Sequence, residues 1–435
     1  MTGREAALQV LTACRQLEAW SDGSLKTAVR GMERREAAFA ARLTYGILQN
    51  RARLDYYLDC FCSQPFQKLE PFVRDVLRIG AYQILYLERV PDSAAVSEAV
   101  EMVKTHRRQR AAGMVNAVLR ELSRRKHQLP RLPDGTAEEQ LSLAYSHPLW
   151  LVQRLTELLG TEEAERFLQE DNQPVPVVVQ RNPLLADVEQ LMDNWQKNGV
   201  TATAHPWLTD CWLLQGTGNL EEDAAFQQGW FQVQDAAAKA VVLAADAGPG
   251  QRVLDVCAAP GGKSFALAMA MANRGEIISC DIHRHKLDLV ERNARRLGIT
   301  CIQTQLADGG VNQSQWNESF DLVVCDVPCS GFGIIRKKPD IRYKNPEVLA
   351  GLPPVQAGIL ENASRYVKPR GQLLYATCTI FPEENQQITA AFLEKHPEFQ
   401  QESFSVGPWQ SDGSMTFWPQ RHGTDGFYVC KMRKQ

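Results

Sequence analysis

Apolar residues in the first 128 positions recur every three or four residues, the spacing of helices that bury one face. The pattern is clearest in segments 6–14 and 73–87, and it continues through the segment 97–103. In the segment 113–119, Gly113 is expected to let a buried helix pack closely against a neighbour. These positions therefore predict an all-α domain over residues 1–128.

Two prolines and a glycine then mark residues 129–142 as a linker. Beyond it the pattern predicts a helix at 141–159 broken at 146–148, a strand at 174–180, a helix at 187–198 and a strand at 211–214. Short strands that alternate with a helix favour a small α+β module. We therefore expect a helical connector and such a module over residues 143–234.

Residues 235–435 alternate apolar strands with helical segments. A strand at 252–256 ends in the glycine pair at 261–262, and a helical segment follows at once from Phe265 to Met271. Further strands are predicted to end at Asp281 and Asp326. This order is typical of a parallel, Rossmann-like α/β sheet, and the whole chain is thus predicted to be multidomain.

The turn after the first of these strands has two interpretations. Its end, Gly262-Lys263-Ser264, is similar to a phosphate-binding P-loop, but Cys257 stands where that loop needs a glycine, and Pro260 lacks an N–H group. A turn for S-adenosyl-L-methionine fits better, because this cofactor has no pyrophosphate and needs close backbone approach. The candidate cofactor-binding residues of the turn are Cys257, Ala258, Ala259, Pro260, Gly261, Gly262 and Lys263.

Two downstream carboxylates complete the predicted cofactor site. Asp281 ends the next strand twenty residues after Gly261, where an acidic side chain accepts hydrogen bonds from ribose hydroxyls. It is equally placed to cap the helix that follows. Asp308 is a candidate for the adenine amino group, although Asp308-Gly309-Gly310 is also a turn signal.

Two cysteines also lie at predicted strand ends, in the elements Asp326-Val327-Pro328-Cys329 and Thr377-Cys378-Thr379. Cysteine is usually a small core residue, and most of the eleven cysteines fit that role. At these two positions a neighbouring proline or threonine favours a break in the strand, which exposes the thiol for nucleophilic chemistry. The residues alone leave open which of the two attacks.

These elements together resemble class I RNA cytosine-5 methyltransferases of the RsmB/NOP family, in particular the bacterial Sun/Fmu type that modifies 16S ribosomal RNA. The resemblance covers nearly the whole chain. It includes a NusB-like N-terminal domain and an RNA-recognition-like module. The motifs that carry it are 253–264, 326–331, 336–341, 375–379, 382–385 and 425–428.

The resemblance implies S-adenosyl-L-methionine as cofactor and a cytosine of naked or partly assembled 16S ribosomal RNA as substrate, with cytosine 967 as the expected target. It assigns nucleophilic attack to Cys378, assistance of product release to Cys329, and contact with both base and cofactor to Asp326. DNA cytosine methylation would reverse the two thiols. Adenine methylation, or a binding protein with an inactive domain, fits the retained cysteines less well.

Charge is distributed unevenly around the net value of −3. Residues 104–126 contain eight basic residues and one acidic residue, which predicts a phosphate-binding face, although a solvated helix face has the same composition. The odd number of cysteines and the lack of a long apolar run predict a cytoplasmic protein away from membranes. No histidine has metal-ligand spacing, so we expect no metal, and we expect a monomer.

Overall fold

The computed structural model describes residues 1–16 and 21–435, and these residues form two compact units. The helical unit consists of residues 1–173 together with the segment 335–344. The sheet unit consists of residues 174–334 and 345–435. The domain boundaries predicted at 128, 142 and 234 stay predictions.

The helical unit buries one apolar face of nearly every helix, as the periodicity predicts. Ser146 adopts a left-handed conformation with φ of 57°, and Pro148 follows it, so the chain breaks between two helices where the sequence indicates. The helices are α1 (Gly3–Gln16), α2 (Ser21–Ala28), α3 (Arg34–Gln49), α4 (Arg51–Phe61), α5 (Pro71–Tyr86), α6 (Asp92–Thr105), α7 (Ala112–Arg125), α8 (Ala137–Tyr145), α9 (Leu149–Leu159) and α10 (Thr161–Asp171).

The prediction for Gly113 is wrong. This glycine is exposed near the start of α7, and a Cβ atom added there would meet open space. The close approach lies instead at Gly80 of α5, where an added Cβ would collide with the side chain of Leu119. The sequence shows the apolar stripe of α7 but does not show which residue of another helix faces it.

The segment 335–344 is a part of the helical unit that the sequence pattern does not predict. Its Arg342 side chain is fully buried and donates to the carbonyl oxygens of Gln49 (2.9 Å) and Ser146 (3.1 Å). The guanidinium also lies 3.5 Å from the carboxylate of Asp171, which contacts His147 at 2.9 Å. Burial, with the Arg342 charge, lowers the pKa of His147 to about 4.

The sheet unit begins with a small antiparallel sheet whose strand order is β2-β3-β1-β4. Helix α11 covers one face through Leu191 and Trp195, which pack on Trp212 and Phe231. The elements are β1 (Val177–Arg181), α11 (Val188–Lys197), β2 (Thr201–Ala204), β3 (Cys211–Gln215), α12 (Ala224–Gln227) and β4 (Phe231–Val233).

A larger sheet completes the sheet unit, with the strand order β10-β14-β9-β8-β5-β6-β7 and β13 paired to β14. Its elements are α13 (Ala236–Ala245), β5 (Arg252–Asp255), α14 (Gly262–Ala270), β6 (Glu276–Asp281), α15 (Arg284–Arg296), β7 (Ile302–Leu306), β8 (Phe320–Asp326), α16 (Val348–Ser364), β9 (Val367–Thr377), α17 (Gln386–Lys395), β10 (Phe399–Gln401), β11 (Phe404–Val406), β12 (Trp409–Ser411), β13 (Ser414–Phe417), α18 (Pro419–His422) and β14 (Phe427–Lys434).

Strands β5 to β9 of this sheet pair in parallel, and β14 pairs antiparallel to β9. The chain moves outward in one direction through β5, β6 and β7 and then returns to place β8 on the other side of β5. Ligands of such sheets bind at the carboxyl ends of the strands next to this reversal. The predicted site residues lie at or just beyond those ends.

Candidate active site

The two candidate cysteines lie next to each other at the carboxyl edge of the large sheet. In the parallel pairing of β8 with β9, Asp326 lies opposite Ala376, so both chains leave the sheet at the same level. Cys329 and Cys378 follow within three residues, and their sulfur atoms are 3.2 Å apart. Both residues are half-buried. Hydrogen bonding to Cys378, together with burial, raises the pKa of the Cys329 thiol well above its usual range.

Asp326 is paired with a lysine from the glycine turn. The ammonium group of Lys263 lies 2.5 Å from the carboxylate of Asp326 and 4.9 Å from the ring centre of Phe427. Burial opposes the charge on Lys263, but the negative charge of Asp326 outweighs it and raises the pKa of the lysine. A fixed ion pair therefore stands at the end of β8, close in sequence to Cys329.

The glycine turn joins β5 to α14 and needs its first glycine. Gly261 has φ of 104°, and an added Cβ would overlap the ring of Phe265. The N–H group of Ala258 donates to the carbonyl of Cys280 at 2.7 Å, which ties the turn to β6. The backbone is thus close-packed and exposed to a ligand on one side only, as a nucleotide-like cofactor requires.

A buried hydrogen-bond chain supports the turn from below. The hydroxyl of Ser264 donates to Asp255 at 2.6 Å and lies 2.8 Å from the hydroxyl of Ser279. Burial raises the pKa of Asp255 to about 6. The sequence analysis missed these three residues. Their only signal is a carboxylate and two hydroxyls in positions where buried strands and a buried helix otherwise carry apolar side chains.

The two cofactor carboxylates each engage local backbone. Asp281 accepts from the N–H group of His283 at 2.8 Å, and Asp308 accepts from the N–H group of Gly310 at 2.8 Å. Helix α15 has His283 as its capping residue, so Asp281 lies one position too early to be the cap. Each contact uses one oxygen atom and orients the other for a hydroxyl or amino donor.

The remaining candidates do not assemble into another site. Throughout residues 1–16 and 21–435, no group of three or more His, Cys, Asp or Glu side chains is arranged to hold a metal ion. Likewise, no helix in the described ranges has the length and apolar character needed to cross a membrane.

Comparison with known proteins agrees with this architecture along the chain. Three family models match: the NusB family at residues 1–124, the ferredoxin-like domain of RsmF/B-like methyltransferases at 147–221, and 16S rRNA methyltransferase RsmB/F at 241–433. The probable ribosomal RNA small subunit methyltransferase B of Bacillus subtilis is 37% identical over 448 residues, which cover 99% of this chain and 98% of that protein. The chain belongs to the 16S rRNA methyltransferase RsmB/F family.

Solved structures support the same fold for this methyltransferase. The crystal structure of a protein named PH0851 matches with a TM-score of 0.83 and 26% identity over 99% of this chain and 98% of that one. NSun6 from Pyrococcus horikoshii, solved with the S-adenosylmethionine analogue SFG, matches with a TM-score of 0.59 and 20% identity over 66% of this chain and 98% of that one. The predicted fold class, with its NusB-like, small α+β and methyltransferase domains, is confirmed.

We expect Gly261→Ala to destabilise the methyltransferase by about 1–2 kcal/mol, because alanine is strained at positive φ and its Cβ would overlap Phe265. Gly358→Ala is the matched control. Gly358 lies in α16 with open space around its Cβ position, so this change should stabilise by roughly 0.5–1 kcal/mol. Chemical denaturation of both variants measures the difference. Equal stability of the two would contradict the role of Gly261.

Proposed function

We propose that this methyltransferase transfers a methyl group from S-adenosyl-L-methionine to C5 of a cytosine in 16S ribosomal RNA through a covalent bond between Cys378 and C6 of the base. Cytosine 967 is the proposed target. The observation that carries the proposal is the contact of two thiols, 3.2 Å apart, at the carboxyl edge of the methyltransferase sheet. The RNA, naked or partly assembled, places the reaction in the cytoplasm.

The chemistry explains why two thiols are useful. C5 of cytosine is a poor nucleophile until a thiolate adds to C6 and makes C5 electron-rich. Cys378 adds to C6, and the electron pair displaced from the C5–C6 double bond forms the new bond from C5 to the methyl group. When bound, S-adenosyl-L-methionine supplies that methyl group on an electrophilic sulfonium.

Release of the product then needs a base for the C5 proton. While Cys378 is free, its hydrogen bond and its charge help to keep the Cys329 thiol protonated. Once Cys378 is bonded to carbon, these two causes are gone, and Cys329 ionises more readily. Loss of the C5 proton to Cys329 restores the C5–C6 double bond and expels the Cys378 thiolate.

The protonation of the pair also favours Cys378 as the nucleophile. Because the pKa of Cys329 is raised by its bond to Cys378, Cys329 is the partner that retains the proton in the resting pair. The thiolate, not the thiol, is the nucleophile. The reversed assignment, in which Cys329 attacks as in DNA cytosine methylation, requires the protonated partner to attack.

The Asp326–Lys263 pair is proposed to hold the cytosine base. A carboxylate accepts from the exocyclic amino group of cytosine, and the ammonium group stabilises negative charge that develops on the ring as the thiol adds. Asp326 follows β8 and Lys263 lies in the cofactor turn, so the pair stands between the proposed sites for base and cofactor. In this role Lys263 contacts both.

The cofactor is proposed to lie against the residues of the turn, 257–263, with Asp281 on its ribose and Asp308 on its adenine. Two observations of the chain fit that ligand. The turn is close-packed at Gly261, and the oriented oxygen atoms of the two carboxylates match the hydroxyl and amino donors of a nucleoside.

Phosphate binding is proposed for three arginines of the helical unit. Arg107, Arg110 and Arg120 are exposed, and within the described ranges no carboxylate lies at ion-pair distance from them. Arg124 and Arg125 are paired with Glu121 instead. Cations without a carboxylate partner lose least when they bind phosphate.

Cys329→Ala should accumulate a covalent protein–RNA adduct, because addition and methyl transfer proceed while release of Cys378 stalls. A denaturing gel of the variant with RNA and cofactor should show a slowly migrating band. Cys378→Ala should lose methylation without forming this band, and so should the double variant. A band that forms only in Cys378→Ala would show that Cys329 is the nucleophile.

Asp281→Ala should weaken cofactor binding by roughly ten- to a hundred-fold, the effect of losing a charged hydrogen-bond acceptor. Asp288→Ala, an exposed aspartate on the following helix that pairs with Arg284, is the matched control and should bind normally. Calorimetry with S-adenosylmethionine measures both. Unchanged affinity in Asp281→Ala would leave that residue a purely local backbone contact.

Replacing Arg107, Arg110 and Arg120 together with alanine should make RNA binding less dependent on salt. The slope of log affinity against log salt should fall by roughly 0.7–0.9 for each lost phosphate contact, or about 2–3 in total. The control replaces Arg124 and Arg125, which Glu121 neutralises in part. A slope that matches the wild type in the triple variant would make these arginines ordinary solvated surface.

A further inference from the structure

Both cysteine-bearing loops are attached to one short turn behind the thiols. This turn, residues 382–385, follows β9 and precedes α17. Two of its polar side chains are almost completely buried: Glu384 is 1% exposed and Asn385 is fully buried. Buried polar groups are stabilised only by good hydrogen-bond partners, so the identity of those partners indicates what the turn holds.

Glu384 binds the loop that carries Cys329. Its carboxylate accepts from the backbone N–H of Ser330 at 2.9 Å and from the Ser330 hydroxyl at 2.5 Å. It also accepts from the side-chain amide of Gln356 at 2.8 Å, and that amide donates to the carbonyl of Pro328 at 2.9 Å. The residues immediately before and after Cys329 are therefore both fixed through Glu384.

Asn385 binds the other loop in the same manner. Its side-chain N–H donates to the carbonyl of Thr379 at 3.0 Å, and its oxygen accepts from the hydroxyl of Thr377 at 2.5 Å. These are the neighbours of Cys378 on either side. A further hydrogen bond of 2.8 Å joins the hydroxyls of Ser330 and Thr379 and links the two loops directly.

We propose that Glu384 and Asn385 are positioning residues, which hold the loops of Cys329 and Cys378 so that the two sulfur atoms stay in contact. The division of labour between them gives different consequences. Loosening Glu384 displaces Cys329, whereas loosening Asn385 displaces Cys378. On the proposed function, on which these consequences rest, the first change slows product release and the second slows formation of the adduct.

The contact between the sulfur atoms can be measured without RNA. At 3.2 Å the sulfur atoms need to move by only about 1 Å to bond. Diamide oxidises two thiols to a disulfide and is itself reduced to the hydrazine, which takes up the two protons and two electrons. Mass spectrometry of the linked Cys329–Cys378 peptide gives the rate. Glu384→Gln and Asn385→Ala should each slow this reaction by about ten-fold, the effect of one lost hydrogen bond between buried partners.

Thr389→Val is the matched control. Thr389 is 2% exposed, lies in α17 just after the turn, and bonds the hydroxyl of Tyr428 at 2.8 Å. It removes a buried hydrogen bond nearby without touching either cysteine loop. Its cross-linking rate should equal that of the wild type, and an equal loss of rate in Thr389→Val would reduce Glu384 and Asn385 to general stability.

The adduct separates the two roles. With RNA and cofactor, Glu384→Gln should lengthen the lifetime of the covalent adduct by about ten-fold while adduct formation stays near the wild-type rate. Asn385→Ala should show the reverse, slow formation with an ordinary lifetime. Equal effects of the two variants on both steps would overturn the division of labour.

Two further results keep the test decisive. If Glu384→Gln fails to fold, Ser330→Ala breaks the same contact from the other side and should lengthen the adduct lifetime alike. If it folds, the double variant should be no slower than the slower single one, as for residues that act through one contact. If Cys329→Ala traps no adduct, the proposed chemistry fails, but the cross-linking rates still decide whether the turn positions the thiols.

Discussion

Strands β5 to β9 of the large sheet run parallel, and the register between β8 and β9 places Asp326 opposite Ala376. Because the two strands end at one level, residues almost fifty positions apart in the chain become neighbours in space. The thiol contact, the ion pair at Asp326 and the hydrogen bonds of the turn 382–385 all depend on this register. A shift of one residue would turn the side chains to opposite faces of the sheet.

The same edge concentrates charge in a partly buried place, and the structure compensates each charge separately. Lys263 neutralises Asp326, while Ser264 donates to the buried Asp255. Glu384 accepts three hydrogen bonds in place of a cationic partner. Each carboxylate thus has its own donors, which prevents the acidic groups from competing for Lys263 and keeps the edge ordered before a ligand binds.

Sequence patterns predicted the features that depend on local order. The glycine turn, the acidic strand ends and the two cysteines stand out because each interrupts an apolar run. Partners at long range do not stand out. Lys263 and Asp326 are separated by sixty-three residues, and Glu384 pairs with Ser330 across fifty-four. The short edge strands β2 and β4 were also missed, since three or four residues carry too little periodicity to identify a strand.

The helical unit shows why distant contacts matter for experiments on this protein. Arg342 belongs to the segment that follows the Cys329 loop, yet its buried guanidinium binds the carbonyl of Gln49 within the NusB-like part of the chain. Removing the N-terminal domain would leave a buried charge with fewer acceptors, which destabilises a protein strongly. Lost RNA binding in such a truncation would therefore mix lost phosphate contacts with disordered structure around Arg342. Exchange of exposed arginines leaves this buried network intact, and so it isolates the electrostatic contribution of the helical unit.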